Sequence, residues 1–332
     1  MTGQALLEVE DLVVEYISSR GVVRAVDHVS FEVRPGEIVG LAGESGCGKT
    51  TAANAILGIL RPPARLASGR ILFQGTDMAR MSPRELRRFR WRHVSMVFQS
   101  AMNALNPVLR VGTQLVDMIQ SHEHVSKTQA LARAGDLLSM VGIDRARINA
   151  YPHELSGGMR QRVIIAMALA LSPELILMDE PTTALDVVVQ REILREIEEL
   201  QRKLDFAVLF ITHDLSLLVE FSNRIAIMYA GEIVEMAPSQ QLFHNPKHPY
   251  TAGLMRSFPP LTGEWKALSG IPGAPPDLAK PPTGCRFHPR CPHCTPYKTQ
   301  VHPILKEIEP RHLVACHLYA EEEEHELTGT EG

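Results

Sequence analysis

Gly43-Glu-Ser-Gly-Cys-Gly-Lys-Thr-Thr51 is the stretch of the sequence that decides the fold. It has the spacing of a phosphate-binding loop, in which a glycine is followed by four residues and then by Gly-Lys-Thr. The run Glu37–Leu41 ahead of it predicts a β-strand, and the apolar spacing from Thr50 to Leu60 predicts a helix behind it. A strand, a glycine loop and a helix in this order distinguish a phosphate loop from a chance glycine-rich turn.

The residue types in this loop suit the phosphate groups of a nucleotide. Glycines let successive backbone N–H groups point at phosphate oxygens, and the N-terminus of the following helix adds positive potential. We expect Lys49 to reach the β- and γ-phosphates and the Thr50 hydroxyl to bind Mg²⁺.

Leu175-Ile-Leu-Met-Asp-Glu180 predicts the acidic half of the same site. Four apolar residues indicate a buried strand with Asp179 at its C-terminal end, which is where open α/β sheets bind ligands. Asp179 is expected to hold Mg²⁺, directly or through water. Glu180 is the candidate for polarising the attacking water.

Two further polar side chains follow predicted strands of this sheet. Gln99 follows Val94–Phe98, and His213 comes soon after Val208–Ile211. Each alone is typical of a solvent-exposed polar residue, but their shared position at strand ends favours the site. We expect Gln99 to contact Mg²⁺ and the γ-phosphate, and His213 to hydrogen-bond the γ-phosphate. Tyr16 is expected either to stack on the base or to be a core aromatic residue.

The composition of the 332-residue chain excludes several classes of protein. With 45% hydrophobic and 22% charged residues it is too apolar to be disordered. Its net charge of −4 gives no reason to expect nucleic acid as a partner. The longest apolar stretch, Val163–Leu171, is shorter than the roughly 20 residues of a membrane-spanning helix, and Glu8 and Glu10 lie where a signal peptide would be basic or apolar. We expect a cytosolic protein that reaches a membrane only through a partner.

The patterns along the chain predict three regions. Residues 1–255 contain strand signals that alternate with helical ones, which indicates a parallel sheet with helices on its faces, interrupted by a helical insert at about 100–158. Residues 256–320 form a proline-rich extension that carries four of the five cysteines. Residues 321–332 include four consecutive glutamates and are expected to be an acidic, disordered tail.

A second anion-binding motif precedes the strand at Leu175. Leu155-Ser-Gly-Gly-Met159 offers a hydroxyl and bare backbone N–H groups at a helix start. Together with the phosphate loop it resembles the ATP-binding-cassette (ABC) ATPases, in which this signature of one subunit closes over ATP held by another. Met159 departs from the glutamine that is usual in that family. Asp186 matches the family's segment that crosses the dimer interface.

This resemblance implies a P-loop ABC ATPase fold: a RecA-like parallel sheet core, an N-terminal antiparallel β subdomain and a helical insert. It implies ATP and Mg²⁺ as ligands and Glu180, His213 and Lys49 as catalytic residues. The implied ATP contacts are Tyr16, Gly43, Glu44, Ser45, Gly46, Cys47, Gly48, Lys49, Thr50, Thr51 and Gln99. The implied contacts to ATP of the other subunit are Ser156, Gly157, Gly158 and Asp186, and the implied Mg²⁺ ligands are Thr50, Gln99 and Asp179.

A narrower resemblance is carried by four motifs. Gly43-Glu-Ser-Gly, Gln99 followed by Leu105-Asn-Pro107, Ser156-Gly-Gly-Met-Arg-Gln-Arg162 and His248-Pro-Tyr-Thr251 are similar to the oligopeptide/dipeptide/nickel importer ATPases. This implies a peripheral subunit on the cytoplasmic face of the cell membrane. Its implied partners are two membrane permeases, a second ATPase that is identical or homologous, and, indirectly, an extracellular binding protein. Peptides are the expected cargo, and nickel and oligosaccharide are the alternative cargoes. An ABC ATPase without a transport role is the alternative function.

The cysteines of the extension predict a metal site. Cys285, Cys291, Cys294 and Cys316 are separated by five, two and 21 residues, which suits either Zn²⁺ or an iron–sulfur cluster; unrelated thiols or a disulfide are the alternatives. The extension resembles one that in some relatives holds a [4Fe–4S] cluster, which favours iron–sulfur over zinc. Lys298 stands where that resemblance would place the third cysteine.

Overall fold

Two β-sheets organise the molecule, and the computed structural model describes residues 4–19, 21–99, 104–183, 185–257 and 270–319. The strands are β1 Leu7–Ser18, β2 Gly21–Val33, β3 Ile38–Ala42, β4 Ala64–Phe73, β5 Thr76–Asp77, β6 Val94–Val97, β7 Leu175–Asp179, β8 Ala207–Thr212, β9 Arg224–Tyr229, β10 Glu232–Pro238, β11 Lys306–Glu309 and β12 His312–Val314. The α-helices are α1 Lys49–Ile56, α2 Pro83–Phe89, α3 Val111–His122, α4 Lys127–Met140, α5 Gly157–Leu169, α6 Val187–Leu204, α7 Leu215–Phe221, α8 Ser239–His244 and α9 Pro249–Arg256.

The larger sheet has eight strands in the order β11-β12-β10-β9-β3-β8-β7-β6. The five strands from β9 to β6 pair in parallel, and β10, β11 and β12 add antiparallel pairs at one edge. The smaller, antiparallel sheet has the order β2-β1-β4-β5. The expected fold class, a parallel core with an antiparallel N-terminal subdomain, is confirmed.

Both faces of the parallel part of the larger sheet, β3 and β6 to β9, are buried, as a parallel sheet requires. Alternate residues of β7 point to opposite sides: Ile176 and Met178 pack with α3 to α7, whereas Leu175 and Leu177 pack with α1 and the smaller sheet. The near-continuous apolar runs that predicted these strands follow from this two-sided burial. None of the helices in the described ranges is long and apolar enough to cross a lipid bilayer.

The helical insert consists of α3 and α4, which pack on each other and on α5. Ser126 starts α4 with a capping box, because its hydroxyl accepts the Gln129 N–H while the Gln129 side chain accepts the Ser126 N–H. Residues 100–103, at the start of the expected insert, lie outside the described ranges.

The extension contributes structure that its proline-rich sequence does not suggest. Its strands β11 and β12 pair with each other, and β12 pairs with β10, so the extension continues the main sheet. Arg286 joins it to both sheets through ion pairs with Asp27 of β2 and Glu232 of β10. Residues 258–269 and the acidic segment 321–332 lie outside the described ranges.

A fully buried carboxylate joins β10 to both α9 and β12. Glu235 is 0% exposed; one of its oxygens accepts the backbone N–H of Lys247 at 2.7 Å and lies 2.7 Å from His312 Nε2, and the other accepts the backbone N–H of His248 at 2.8 Å. His248 is itself buried, and its Nδ1 accepts the Tyr250 N–H at 3.0 Å to start α9. This cluster connects β10 and the start of α9 to the extension.

Replacing His248 should change how stability depends on pH. Burial lowers the pKa of this imidazole to about 4, from an ordinary 6.5, although the nearby Glu235 acts in the opposite direction. As the pH falls from about 6.5 to about 4, the unfolded chain gains a proton that the folded chain does not, so the free energy of unfolding decreases. An asparagine side chain at this position would keep an acceptor for the Tyr250 N–H without titrating.

We therefore expect the unsubstituted protein to lose roughly 1–3 kcal/mol more of its unfolding free energy than His248→Asn across this interval. Denaturant unfolding at a series of pH values measures the difference. Parallel curves for the two proteins would contradict the buried, neutral histidine.

Candidate nucleotide site

The phosphate loop follows β3, leads into α1 and borders a cavity of about 430 Å³. The cavity brings together residues from five stretches of the chain. It is lined by Tyr16, Val23, Ala25, Ser45, Gly46, Gly48, Lys49, Thr50, Thr51, Gln99 and Glu180. Most of the residues that the sequence assigns to one nucleotide therefore border one space.

Two glycines shape the loop because side chains do not fit beside the neighbouring backbone. A Cβ on Gly48, at φ +108°, would lie 2.1 Å from the carbonyl oxygen of Ala25 in β2. A Cβ on Gly43 would lie 2.1 Å from the carbonyl oxygen of Met228 in β9. The loop is thus fitted between the two sheets.

Lys49 is buried, and its ammonium donates to the carbonyl oxygens of Gly43 at 2.7 Å and Glu44 at 3.1 Å. Its Nζ also lies 3.7 Å from Cys47 Sγ. Burial raises the pKa of the Cys47 thiol, against the influence of Lys49. The ammonium is therefore held inside the curl of the loop, at the position where phosphate oxygens would be bound.

Asp179 ends β7 and is only 1% exposed. Burial raises the pKa of its carboxyl, while a hydrogen bond with Thr50 and the charge of Lys49 act in the opposite direction. Its Oδ1 is buried and has no hydrogen-bond partner in the part of the chain that the structure describes. A buried, unpartnered carboxylate oxygen beside a threonine hydroxyl fits a Mg²⁺ ion with its water shell.

Glu180 is held by three side chains. Gln99 Nε2 donates to its Oε2 at 2.9 Å, the Thr183 hydroxyl donates to the same oxygen at 3.2 Å, and His213 Nδ1 lies 2.8 Å from Oε1. The backbone of Glu180 has φ +45°, an uncommon conformation for a residue with a side chain. The structure thus joins Gln99, Glu180 and His213, although His213 does not line the cavity.

Tyr16 brings an aromatic ring from β1 to the same cavity. Its hydroxyl is 3.2 Å from the Thr51 hydroxyl, and its side chain is one of the residues that line the space. The ring is therefore available to a ligand and is not enclosed in the core.

Ser156 and Asp186 lie at helix starts and are not among the residues that line this cavity. Ser156 Oγ accepts the Met159 N–H at 3.2 Å at the start of α5, and Asp186 Oδ1 accepts the N–H groups of Val188 and Val189 at the start of α6. Ser156 and Asp186 are exposed, and neither they nor Gly157 and Gly158 line the cavity.

The extension's cysteines are not arranged as a metal site. Cys285 is buried and Cys316 is half-buried. Burial raises the pKa of both thiols, to about 11 for Cys285, and Cys291 is close enough to raise them further. Cys294 is exposed, and its thiol donates to the Thr295 carbonyl at 3.8 Å. Among the described residues no group of three or more His, Cys, Asp or Glu side chains could hold a metal ion. The structure gives no support to the predicted [4Fe–4S] or Zn²⁺ site.

Sequence reasoning missed two sets of contacts to this site. It did not assign Thr183 to Glu180, and it did not place the extension beside the phosphate loop, where Arg290 forms two hydrogen bonds with the Glu44 carboxylate. The motif that begins at His248 pointed to a contact between α9 and the loop, because the hydroxyl of its tyrosine, Tyr250, accepts the Glu44 N–H at 3.0 Å. Contacts across about 200 residues cannot be read from spacing, however.

Three features of one sheet come together here: a phosphate loop that follows a parallel strand, an aspartate with one unpartnered oxygen at a strand end, and a hydrogen-bonded glutamate directly after it. Together they define a P-loop nucleotide hydrolase. Residues 26–183 match the family described as ABC transporter, and residues 234–297 match the family described as oligopeptide/dipeptide transporter, C-terminal region.

Curated relatives match nearly the whole chain. The probable peptide ABC transporter ATP-binding protein y4tR of Sinorhizobium fredii is 45% identical over 315 residues, which cover 94% of each chain. The dipeptide transport ATP-binding protein DppD of Bacillus subtilis is 43% identical over 325 residues, which cover 97% of each chain. The chain belongs to the ATP-binding proteins of the oligopeptide and dipeptide ABC transporters, which confirms the resemblance drawn from its motifs.

Solved structures agree with this assignment. A dimeric structure of MJ0796, a bacterial ABC transporter cassette, is 28% identical with a TM-score of 0.63, and the match covers 70% of this chain and 98% of that one. Another dimeric structure of MJ0796, in a post-hydrolysis state bound to ADP and Pi, has a TM-score of 0.62 over the same shares. This chain is accordingly an ABC ATPase.

Adding a methyl group at Gly48 should disturb the loop more than adding one at Gly46. Both glycines have positive φ, but a Cβ on Gly46 would meet nothing within 4 Å, whereas a Cβ on Gly48 would collide with the Ala25 carbonyl. We expect Gly48→Ala to lower the unfolding free energy by about 1–3 kcal/mol more than Gly46→Ala does. Denaturant unfolding of both variants measures this, and equal losses would show that the contact with β2 is unimportant.

Proposed function

We propose that this protein hydrolyses ATP to power the uptake of di- or oligopeptides across the cytoplasmic membrane. The observation that carries the proposal is that peptide-transport relatives match both parts of the chain, the cassette with its nucleotide cavity and the extension. Nickel and oligosaccharide are the competing cargoes, and a cassette without a transport role is the competing function.

In this proposal the chain is a peripheral subunit on the cytoplasmic face of the membrane. Residues 1–255 form the ATPase unit, with the helical insert at about 100–158, and residues 256–320 form the extension. Two membrane permeases and a second ATPase subunit, identical or homologous, are the direct partners. An extracellular binding protein supplies the cargo, and nucleic acid is not a partner.

The lining of the cavity supports the proposed assignment of ATP contacts. Tyr16 would stack on adenine, residues 43–51 would bind the phosphates, and Lys49 would transfer its hydrogen bonds from backbone carbonyls to phosphate oxygens. Thr50, Asp179 and Gln99 would hold Mg²⁺, which neutralises charge on the β- and γ-phosphates when bound. The unpartnered Oδ1 of Asp179 is the feature of this chain that favours such a role.

Glu180 is the proposed general base. Its two oxygens are occupied by different neighbours, Gln99 and Thr183 on Oε2 and His213 on Oε1, so the carboxylate has a fixed orientation beside the cavity. A base held in this way can accept a hydrogen bond from the attacking water and take up its proton as the oxygen of that water bonds to the γ-phosphorus. The bond from the γ-phosphorus to the bridging oxygen breaks in the same displacement, and ADP leaves. Gln99 and His213 would also respond to the γ-phosphate, which links its presence to the orientation of Glu180.

Ser156, Gly157, Gly158 and Asp186 are proposed to contact ATP bound to the second subunit. They lie at helix starts and do not line the chain's own cavity, which supports this assignment, because a helix N-terminus attracts phosphate. Hydrolysis would then require two subunits.

An iron–sulfur or zinc site in the extension stays a prediction from the cysteine spacing and from the resemblance of the extension to one that holds a cluster in some relatives. Three thiols lie close enough to influence one another, and the exposed Cys294 would have to turn towards them to complete four ligands. No step of the proposed ATPase reaction depends on it.

Glu180→Gln should separate ATP binding from hydrolysis. The amide keeps the shape of the side chain but cannot take a proton, so we expect about 10²–10⁴-fold slower hydrolysis with nearly unchanged affinity for MgATP. Lys49→Ala is the matched control, because it removes a charge from the phosphate cradle and should weaken binding itself. Phosphate release and equilibrium nucleotide binding are the two measurements. Hydrolysis at the normal rate in Glu180→Gln would remove this residue from catalysis.

Ser156→Arg should block closure of two subunits while leaving ATP binding by one subunit intact. The long, positively charged arginine side chain at the start of α5 would fill the space that the proposed second nucleotide needs. With the second ATPase subunit present, we expect Glu180→Gln protein to form a dimer with ATP, as measured by light scattering. We expect Glu180→Gln/Ser156→Arg protein to bind ATP without forming this dimer. Dimerisation of the double variant would contradict the proposed contacts in trans.

Uptake by a deletion strain tests the proposed cargo. Loss of labelled di- and oligopeptide uptake, restored by the unsubstituted gene and not by Glu180→Gln, is the expected result. Normal peptide uptake with loss of nickel or oligosaccharide uptake would replace the cargo, and normal uptake of all three would reject the transport role.

A further inference from the structure

All polar groups of Glu44, the second residue of the phosphate loop, are engaged. Its N–H donates to the Tyr250 hydroxyl at 3.0 Å, and its carbonyl accepts the ammonium of Lys49 at 3.1 Å and the N–H of Cys47 at 3.3 Å. Its carboxylate accepts both terminal nitrogens of Arg290, at 2.7 and 3.0 Å. The loop's entry is thus connected to α9 and to the extension by direct hydrogen bonds.

Arg290 is well placed to hold this carboxylate. Its side chain is 5% exposed, its Nε donates to the Pro272 carbonyl at 2.9 Å, and its guanidinium lies 5.8 Å from the centre of the Tyr229 ring. A two-point guanidinium–carboxylate pair fixes direction as well as distance. The guanidinium is itself fixed by the extension, so it can impose a position on the loop.

The pair also controls charge beside the phosphate site. The Glu44 side chain is 25% exposed, and its residue contacts Lys49 through the backbone. Without Arg290, the carboxylate would be an unpaired negative charge on the loop that has to bind a polyphosphate. Removing one partner of a largely buried pair is costly because the remaining charge loses its counter-charge.

We propose that Arg290, from the C-terminal extension, is a positioning residue for the phosphate loop: it neutralises Glu44 and fixes the loop in the conformation that binds MgATP. The extension is then part of the ATP-binding machinery of the cassette. The inference rests on ATP binding at this loop and does not depend on which cargo is transported.

Binding of MgATP to the purified full-length chain tests the inference. Arg290→Met should raise the Kd for MgATP about tenfold, since preorganisation of the loop is lost and Glu44 is left unpaired. In steady-state kinetics the same variant should show a raised KM, with kcat within about twofold of the unsubstituted protein. Arg290→Met/Glu44→Gln should restore the affinity to within about threefold of the unsubstituted protein, because the unpaired charge is gone. A general weakening of the fold would not be repaired by a second substitution in the loop.

Lys247→Met is the matched control, because Lys247 pairs with Glu309 and contacts Tyr319, and so joins the extension to the cassette elsewhere. It should leave the Kd unchanged. Arg290→Lys keeps the charge and loses the two-point geometry, so it should raise the Kd for MgATP roughly threefold. This variant replaces Arg290→Met in the test if Arg290→Met does not fold.

Three results would each overturn the inference: normal affinity in Arg290→Met, failure of Glu44→Gln to restore affinity, or an equal loss of affinity in Lys247→Met. These outcomes are distinguishable from a failure of the proposed function. A deletion strain with normal peptide uptake would reject the proposed cargo, whereas the binding measurements would still decide the role of Arg290.

Discussion

The parallel register of β3, β8, β7 and β6 is the constraint on which the nucleotide site depends. Ala42 pairs with Thr212, and Asp179 pairs with Ile211. The C-terminal ends of β3, β8 and β7 therefore lie side by side, and these ends lead into the phosphate loop, His213 and Glu180 respectively. A shift of one residue in any of these strands would turn its side chains to the other face of the sheet. The buried, alternating packing of both faces prevents such a shift and thereby keeps Glu180 within reach of its three partners.

Much of this arrangement could be predicted because its determinants are local. The loop Gly43–Thr51 carries its own chemistry, and apolar runs such as Leu175–Met178 are long and continuous because both faces of the sheet are buried. Since parallel strands share a direction, the residues that follow them had to meet at one edge. The structure brings Gln99, Glu180 and His213 into contact on that basis.

The parts that could not be predicted depend on contacts between distant segments. β11 and β12 are short strands without a strong apolar pattern, and of the two only β11 lies at the edge of the sheet. They form because β12 can pair with β10 and because His312 reaches the buried Glu235. The pairing of Arg290 with Glu44 spans 246 residues and has no signature in spacing. For the cysteines the sequence contains a signature, but the structure does not contain the matching site. Their spacing suggests a metal site, and none is assembled among the described residues. The extension is fixed to the cassette by the ion pairs of Arg286 and Arg290, which do not involve its cysteines.

The most direct test of the account is peptide accumulation in lipid vesicles that contain the subunit assembled with its permeases and second ATPase. The ATPase subunits should face the vesicle interior, where ATP is enclosed, and the binding protein with a labelled di- or oligopeptide should be supplied outside. The peptide should accumulate inside the vesicles, on the side that holds ATP, and it should not accumulate when the subunit carries Glu180→Gln. Vesicles that hydrolyse ATP at the same rate with and without every peptide tested, and that accumulate none of them, would contradict a peptide-import ATPase.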